Sequence, residues 1–131
     1  MQDLPLADLW RFLPFGYLLT ILIETPVLLA GLPSKLTLRQ KLLCGIWLTA
    51  CTYPIVVLVL PAVFFGAPRW QYLAVAETFA PAAECFLFWI AFKDPVVGRE
   101  LFQGFVAITM ANLASFGLGE VLNHFRWFGL F

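Results

Sequence analysis

Four long apolar segments dominate this chain of 131 residues. They occupy roughly residues 12–32, 42–65, 72–92 and 101–122, and each reaches the ~20 mainly apolar residues that a helix needs to cross a bilayer. The connections between them contain the proline, glycine and charged residues that end helices. Because these connections are short, consecutive helices should pack as antiparallel neighbours. The sequence therefore predicts an all-α polytopic membrane protein, a four-transmembrane-helix antiparallel bundle that forms one domain over residues 1–131.

The composition indicates that lipid is the main solvent of the side chains. Hydrophobic residues make up 62% of the chain and charged residues only 12%, whereas a soluble domain keeps about a quarter of its residues charged. Net charge is zero and no basic run occurs, so we expect the lipid bilayer as a partner and no nucleic acid. The first ten residues lack the Lys or Arg of a signal peptide, so we expect the first segment to remain in the mature protein.

The distribution of Lys and Arg predicts an orientation in the membrane. The first and third connections hold five basic residues, against three in the middle connection and the two ends. Those five are Lys35, Arg39, Lys41, Lys93 and Arg99. Because cytoplasmic loops carry the excess of positive charge, both termini are expected outside, on the periplasmic side of a bacterial membrane.

Carboxylates lie inside the apolar segments with no basic residue to neutralise them. Glu24 and Glu84 are near the middle of the first and third segments, and Glu77 precedes Glu84 by two turns on the same face. The four segments contain no Lys, Arg or His. An ionised side chain at the centre of a spanning helix costs about 2.5–3.5 kcal/mol. We therefore expect these groups to face the bundle interior, either protonated or compensated by a bound cation.

Polar side chains at the same depth on the other helices complete a predicted midplane site. The predicted ion- or proton-binding residues are Glu24, Glu84, Glu77, Asn112, Thr52 and Tyr53. Glu120, near the outer end of the fourth segment, marks the predicted entry path. Such oxygen ligands suit a hard cation such as Mg²⁺, Ca²⁺ or Mn²⁺, and no other cofactor is expected. In the alternative interpretation these residues are interhelical hydrogen bonders, worth about 0.6 kcal/mol each.

When the sequence is aligned with itself at an offset of 60 residues, Glu24 matches Glu84 and Thr52 matches Asn112. Both halves run in the same direction, so these matches predict a parallel two-plus-two duplication. Two matches at one offset are equally expected from coincidence, and both interpretations stay open at the level of sequence.

Short patterns in the four segments resemble those of a group of small four-helix bacterial membrane proteins. The patterns are IETPVLL, TYP, AETFAPAAE and NLASF, one in each segment. The resemblance implies a bacterial inner-membrane location. It implies no activity, ligand or site residue.

Two functions fit these observations. The first is a small cation or proton-coupled transporter or channel, expected to be a homo-oligomer because four helices make a narrow bundle. It predicts that Glu84→Gln abolishes transport in a protein that still inserts and folds. The second is an accessory or assembly subunit of a larger membrane complex, with the carboxyls as interhelical hydrogen bonders. No phosphate-binding loop, Ser/His/Asp set or HExxH motif occurs, so enzyme activity is not expected.

Overall fold

The computed structural model of the protein describes residues 6–92, 96 and 98–124. Within this part of the chain four helices are long and apolar enough to cross a membrane, which confirms the all-α class. Their bounds are α1 Leu6–Gly31, α2 Leu38–Val63, α3 Arg69–Phe92 and α4 Arg99–His124. Lys93 and Arg126, which enter the predicted orientation, lie outside the described residues.

Helix α2 begins several residues before its apolar segment because a capping box starts it. Thr37 Oγ1 accepts a hydrogen bond from the Gln40 amide at 3.1 Å, and Gln40 Oε1 accepts one from the Thr37 amide at 2.8 Å. Two backbone donors of the first turn are thereby satisfied. The polar turn that follows, Leu38 to Lys41, therefore belongs to the helix although its hydropathy is low.

Helix α2 also changes its hydrogen-bond register near its end. It is α-helical over Leu38–Pro54 and Leu60–Val63 and forms a π-helical turn over Ile55–Val59. In the π register the Val56 carbonyl would pair with residue 61, but Pro61 has no N–H. The hydroxyl of Tyr72 on α3 donates to the Val56 carbonyl at 2.8 Å instead. This contact supplies the missing donor and joins α2 to α3.

The helices pack in the cyclic order α1, α2, α3, α4, and each contacts the next one around the bundle. Small residues allow close approach: Gly31 lies against Ala107, and a Cβ at Gly104 would come within 2.5 Å of Phe88 Cε1. The buried apolar cluster beside these contacts consists of Leu28, Leu32, Leu36, Cys44, Leu48, Phe88, Val96, Ala107, Ile108 and Ala111. The polar site described below adjoins this cluster along the bundle.

Candidate functional site

Two carboxyl groups lie in the interior of the bundle. Glu24 on α1 and Glu84 on α3 are each only 3% exposed, and the two side chains interact electrostatically. In the described part of the chain no Lys, Arg or His forms a hydrogen bond or ion pair with either of them. A carboxylate that faces lipid is costly, so burial of both groups inside the bundle is expected.

Glu84 is held by one hydroxyl and one amide. The Thr52 hydroxyl donates to Glu84 Oε1 at 2.7 Å, and Asn112 Nδ2 donates to Oε2 at 2.6 Å. The same Nδ2 lies 2.9 Å from the Ile108 carbonyl oxygen, which can only accept. The orientation of the Asn112 amide is therefore fixed by Ile108, and Oε2 of Glu84 faces a group that can only donate.

Glu24 is held by two hydroxyls. Ser115 Oγ lies 2.7 Å from Glu24 Oε1, and Thr49 Oγ1 lies 3.2 Å from Oε2. Each hydroxyl also reaches a backbone carbonyl: Thr49 that of Gly45 at 2.9 Å, and Ser115 that of Asn112 at 3.1 Å. Because a hydroxyl accepts hydrogen bonds as readily as it donates one, both can accept a hydrogen bond from a protonated Glu24.

The four partners come in two pairs, each on one helix. Thr49 and Thr52 lie three residues apart on α2, and Asn112 and Ser115 lie three residues apart on α4, so each pair shares a helix face. Each carboxyl contacts α2 through one oxygen and α4 through the other. Helices α2 and α4 thus form a polar seam that holds the carboxyls of α1 and α3.

The burial pattern supports the duplication that the offset of 60 residues suggests. Both members of the two matched pairs are buried, Glu24 with Glu84 and Thr52 with Asn112. Five apolar or small pairs at the same offset are also buried at both members. These are Gly16 with Ala76, Leu28 with Phe88, Leu36 with Val96, Cys44 with Gly104, and Leu48 with Ile108.

Thr49 and Ser115 are site residues that the sequence reasoning did not assign. Thr49 is 2% exposed, and Ser115 is half-buried. Each lies one turn from a residue that was predicted, Thr52 or Asn112, and this spacing is the signal that could have identified them.

Tyr53, by contrast, contacts an aromatic side chain of α1. It is half-buried, and its ring packs edge-on against Tyr17 with the ring centroids 6.1 Å apart. No hydrogen bond in the described part of the chain joins Tyr53 to Glu24 or Glu84. It lies beside the site rather than within its hydrogen-bond network.

Glu77 and Glu120 extend from the site towards one end of the bundle. Glu77 is half-buried on α3 and interacts electrostatically with both Glu84 and Glu120. Glu120 is paired with Arg69 through two hydrogen bonds of 3.1 and 2.7 Å. The predicted entry residue is thus bound to a basic side chain, and Glu77 lies between that ion pair and Glu84.

Comparisons with protein-family models, with curated proteins and with solved structures find no match. An account of function therefore rests on the chemistry of the site itself. Among the described residues no group of three or more His, Cys, Asp or Glu side chains is arranged to hold a metal ion. The chemistry available is that of two buried carboxyls with four neutral hydrogen-bond partners.

Proposed function

We propose that the chain is a polytopic membrane protein that moves protons through the carboxyl pair at its midplane, as a small proton-coupled transporter or channel. The helices would form an antiparallel bundle in a bacterial inner membrane. Association of several copies, which a narrow four-helix bundle favours for a permeation path, is part of this proposal.

The outer surface supports a membrane environment. Large apolar side chains are exposed on the helices, among them Leu22 at 71%, Trp70 at 67% and Phe102 at 68%. In water such a surface would promote association, whereas in a bilayer it faces lipid.

Contacts between α1 and α2 support the antiparallel arrangement. Tyr17 packs on Tyr53, Glu24 bonds to Thr49, and the Leu29 carbonyl is near Lys41. Residue numbers rise along α1 while they fall along α2, which is the register of antiparallel neighbours.

The observation that carries the proposal is the burial of two carboxyls among exclusively neutral donors. Interhelical hydrogen bonds alone do not require an acid, because Gln or Ser would supply them without the cost of a buried ionisable group. A carboxyl in this position offers one property that those residues lack, which is the reversible uptake of a proton. Ionisable groups inside membrane bundles commonly mark such pathways.

The same contacts favour a proton over a metal cation. Each of the four carboxyl oxygens lies within 3.2 Å of a hydroxyl or amide group of Thr49, Thr52, Asn112 or Ser115. A hard cation such as Mg²⁺ or Ca²⁺ prefers about six or more oxygen ligands, and Asn112 presents its nitrogen to Glu84. A metal would have to displace this network, whereas a proton fits into it.

The test is proton flux into liposomes that contain the purified protein and a pH-sensitive dye, with a K⁺ diffusion potential as the driving force. Wild type should acidify or alkalise the lumen according to the sign of the potential, and Glu84→Gln should reduce flux to the level of protein-free liposomes. Glu100→Gln is the matched control, because Glu100 is at the exposed start of α4 and pairs with Lys35. Absence of flux from folded, inserted wild type would overturn the proposal and favour the accessory-subunit alternative.

A further inference from the structure

We infer that the two carboxyls have different roles: Glu24 keeps its proton and acts as a fixed hydrogen-bond donor, while Glu84 releases and takes up the proton that moves. The assignment of a moving proton to Glu84 rests on the proposed function. The assignment of the fixed proton to Glu24 rests on hydrogen-bond geometry alone.

Glu84 is arranged to be ionised. Its Oε2 receives an N–H of Asn112 that cannot act as an acceptor, and its Oε1 receives the Thr52 hydroxyl at 2.7 Å, closer than the alternative acceptor, the Leu48 carbonyl at 3.2 Å. Both distances are in the short range of hydrogen bonds to a charged acceptor. An ionised Glu84 thus has a committed donor on each oxygen.

Glu24 has a donor at such a short distance on one oxygen only, the Ser115 hydroxyl at 2.7 Å from Oε1. The proton of Thr49 is better placed for the Gly45 carbonyl at 2.9 Å than for Glu24 at 3.2 Å. A protonated Glu24 can instead donate from Oε1 to Ser115 Oγ, and Ser115 can donate in turn to the Asn112 carbonyl. The protonated form completes this chain of hydrogen bonds, whereas the ionised form leaves one of its links without a proton.

A count of protons gives the same asymmetry. Around Glu84, four contacts are served by three protons, one from Thr52 and two from the Asn112 amide. Around Glu24, four contacts are served by only two, one from Thr49 and one from Ser115. One proton added to Glu24 gives its network three protons for four contacts, the same number as around Glu84.

The surroundings of the pair allow one negative charge rather than two. The titratable groups that interact with Glu84 are Glu24 from α1 and Glu77 and Cys85 from α3. Among the described residues, the side chains of α2 and α4 that bond to Glu84 are the neutral Thr52 and Asn112. Because two like charges at short range disfavour each other, a neutral Glu24 is the condition under which Glu84 can ionise.

The position of Glu77 also favours Glu84 as the exchanging member. Glu77 lies on the same helix face as Glu84, two turns nearer the Arg69–Glu120 pair, and interacts electrostatically with both Glu84 and Glu120. A proton that leaves Glu84 therefore has a second carboxyl on its way to the end of the bundle.

The experiment compares Glu24→Gln and Glu84→Gln by infrared difference spectroscopy of protonated carboxyl groups and by proton flux. Gln reproduces the donor and acceptor of a protonated carboxyl. Glu24→Gln should therefore remove a protonated-carboxyl band at neutral pH. Glu84→Gln should keep that band and reduce flux to background. Glu77→Gln is recorded alongside, so that any band from Glu77 is subtracted.

The opposite pattern, a protonated-carboxyl band that is lost in Glu84→Gln and kept in folded Glu24→Gln, would overturn the assignment. If Glu24→Gln does not fold, Ser115→Ala replaces it: the band should shift because its acceptor is gone, and an unchanged band overturns the assignment. If wild type carries no protons, the proposed function fails, and the infrared bands still decide independently which carboxyl holds the fixed proton.

Discussion

Asn112 Nδ2 donates simultaneously to Glu84 Oε2 at 2.6 Å and to the Ile108 carbonyl at 2.9 Å. The second contact fixes which amide atom faces the carboxyl, so a local backbone interaction within α4 determines the electrostatic environment of a side chain on α3. The residue that binds Glu84 is in this way oriented by its own helix.

Replacement of Asn112 by Leu, which has a similar shape, should destabilise the protein and reduce flux. Oε2 of Glu84 would lose its donor, and an unpaired buried acceptor costs about 1–3 kcal/mol. Unfolding of the protein in mixed micelles as a function of SDS measures the free-energy change. A variant as stable as wild type would show that Asn112 does not hold Glu84.

The Thr52 hydroxyl should contribute to function through Glu84 rather than through its own helix. Thr52→Val keeps the shape but removes the donor to Oε1, so flux should fall by about tenfold if the lost bond to a charged group is worth about 1.5 kcal/mol. Thr109→Val is the matched control, because Thr109 is exposed and bonds to the Phe105 carbonyl of its own helix. Equal flux in the two variants would contradict a specific role for Thr52.

The absence of a side chain at Gly45 should allow α1 and α2 to approach each other closely at Thr25. Thr25 Oγ1 occupies the place where a Cβ on residue 45 would lie, and it is buried without a hydrogen-bond partner among the described residues. Gly45→Ala should therefore destabilise the protein by about 1–3 kcal/mol through overpacking, as measured by SDS unfolding.

Two further variants separate this clash from general effects of a methyl group. Thr25→Ala in the Gly45→Ala background removes the colliding oxygen and should restore part of the lost stability. Gly117→Ala should be neutral or slightly stabilising, because nothing lies within 4 Å of its added Cβ and Ala is the better helix former. A Gly45→Ala protein as stable as Gly117→Ala would contradict the close approach of α1 and α2.

The hydroxyl of Tyr72 should stabilise the π-helical turn of α2. Tyr72→Phe leaves the Val56 carbonyl without its donor, so amide hydrogen exchange over residues 55–63 should accelerate. Tyr17→Phe is the control, because its hydroxyl also donates to a backbone carbonyl, that of Ile46, in a regular part of α2. Exchange that accelerates equally in both variants would argue against a special role for Tyr72.

The sequence predicted the all-α class and the four long apolar helices, because hydropathy and length depend on residues one at a time. Glu24, Glu84, Thr52 and Asn112, four members of the predicted site, are buried in the bundle. It did not predict helix rotation, which depends on how neighbouring surfaces fit. Tyr53 follows Thr52 directly, yet its ring packs against Tyr17, and no hydrogen bond joins it to either carboxyl among the described residues.

The π-helical turn was beyond sequence reasoning for a related reason. Pro54 and Pro61 are visible in the sequence, but the donor that pairs with the Val56 carbonyl in the π-helical turn comes from another helix. That donor, the Tyr72 hydroxyl, becomes available only when α3 packs against α2.

The most direct test of the account is potential-driven proton flux through wild type and Glu84→Gln, reconstituted at equal density in liposomes. The account predicts flux in wild type and in the Glu100→Gln control, and flux at the level of protein-free liposomes in Glu84→Gln. Equal flux in wild type and in folded Glu84→Gln would contradict the central role of this carboxyl.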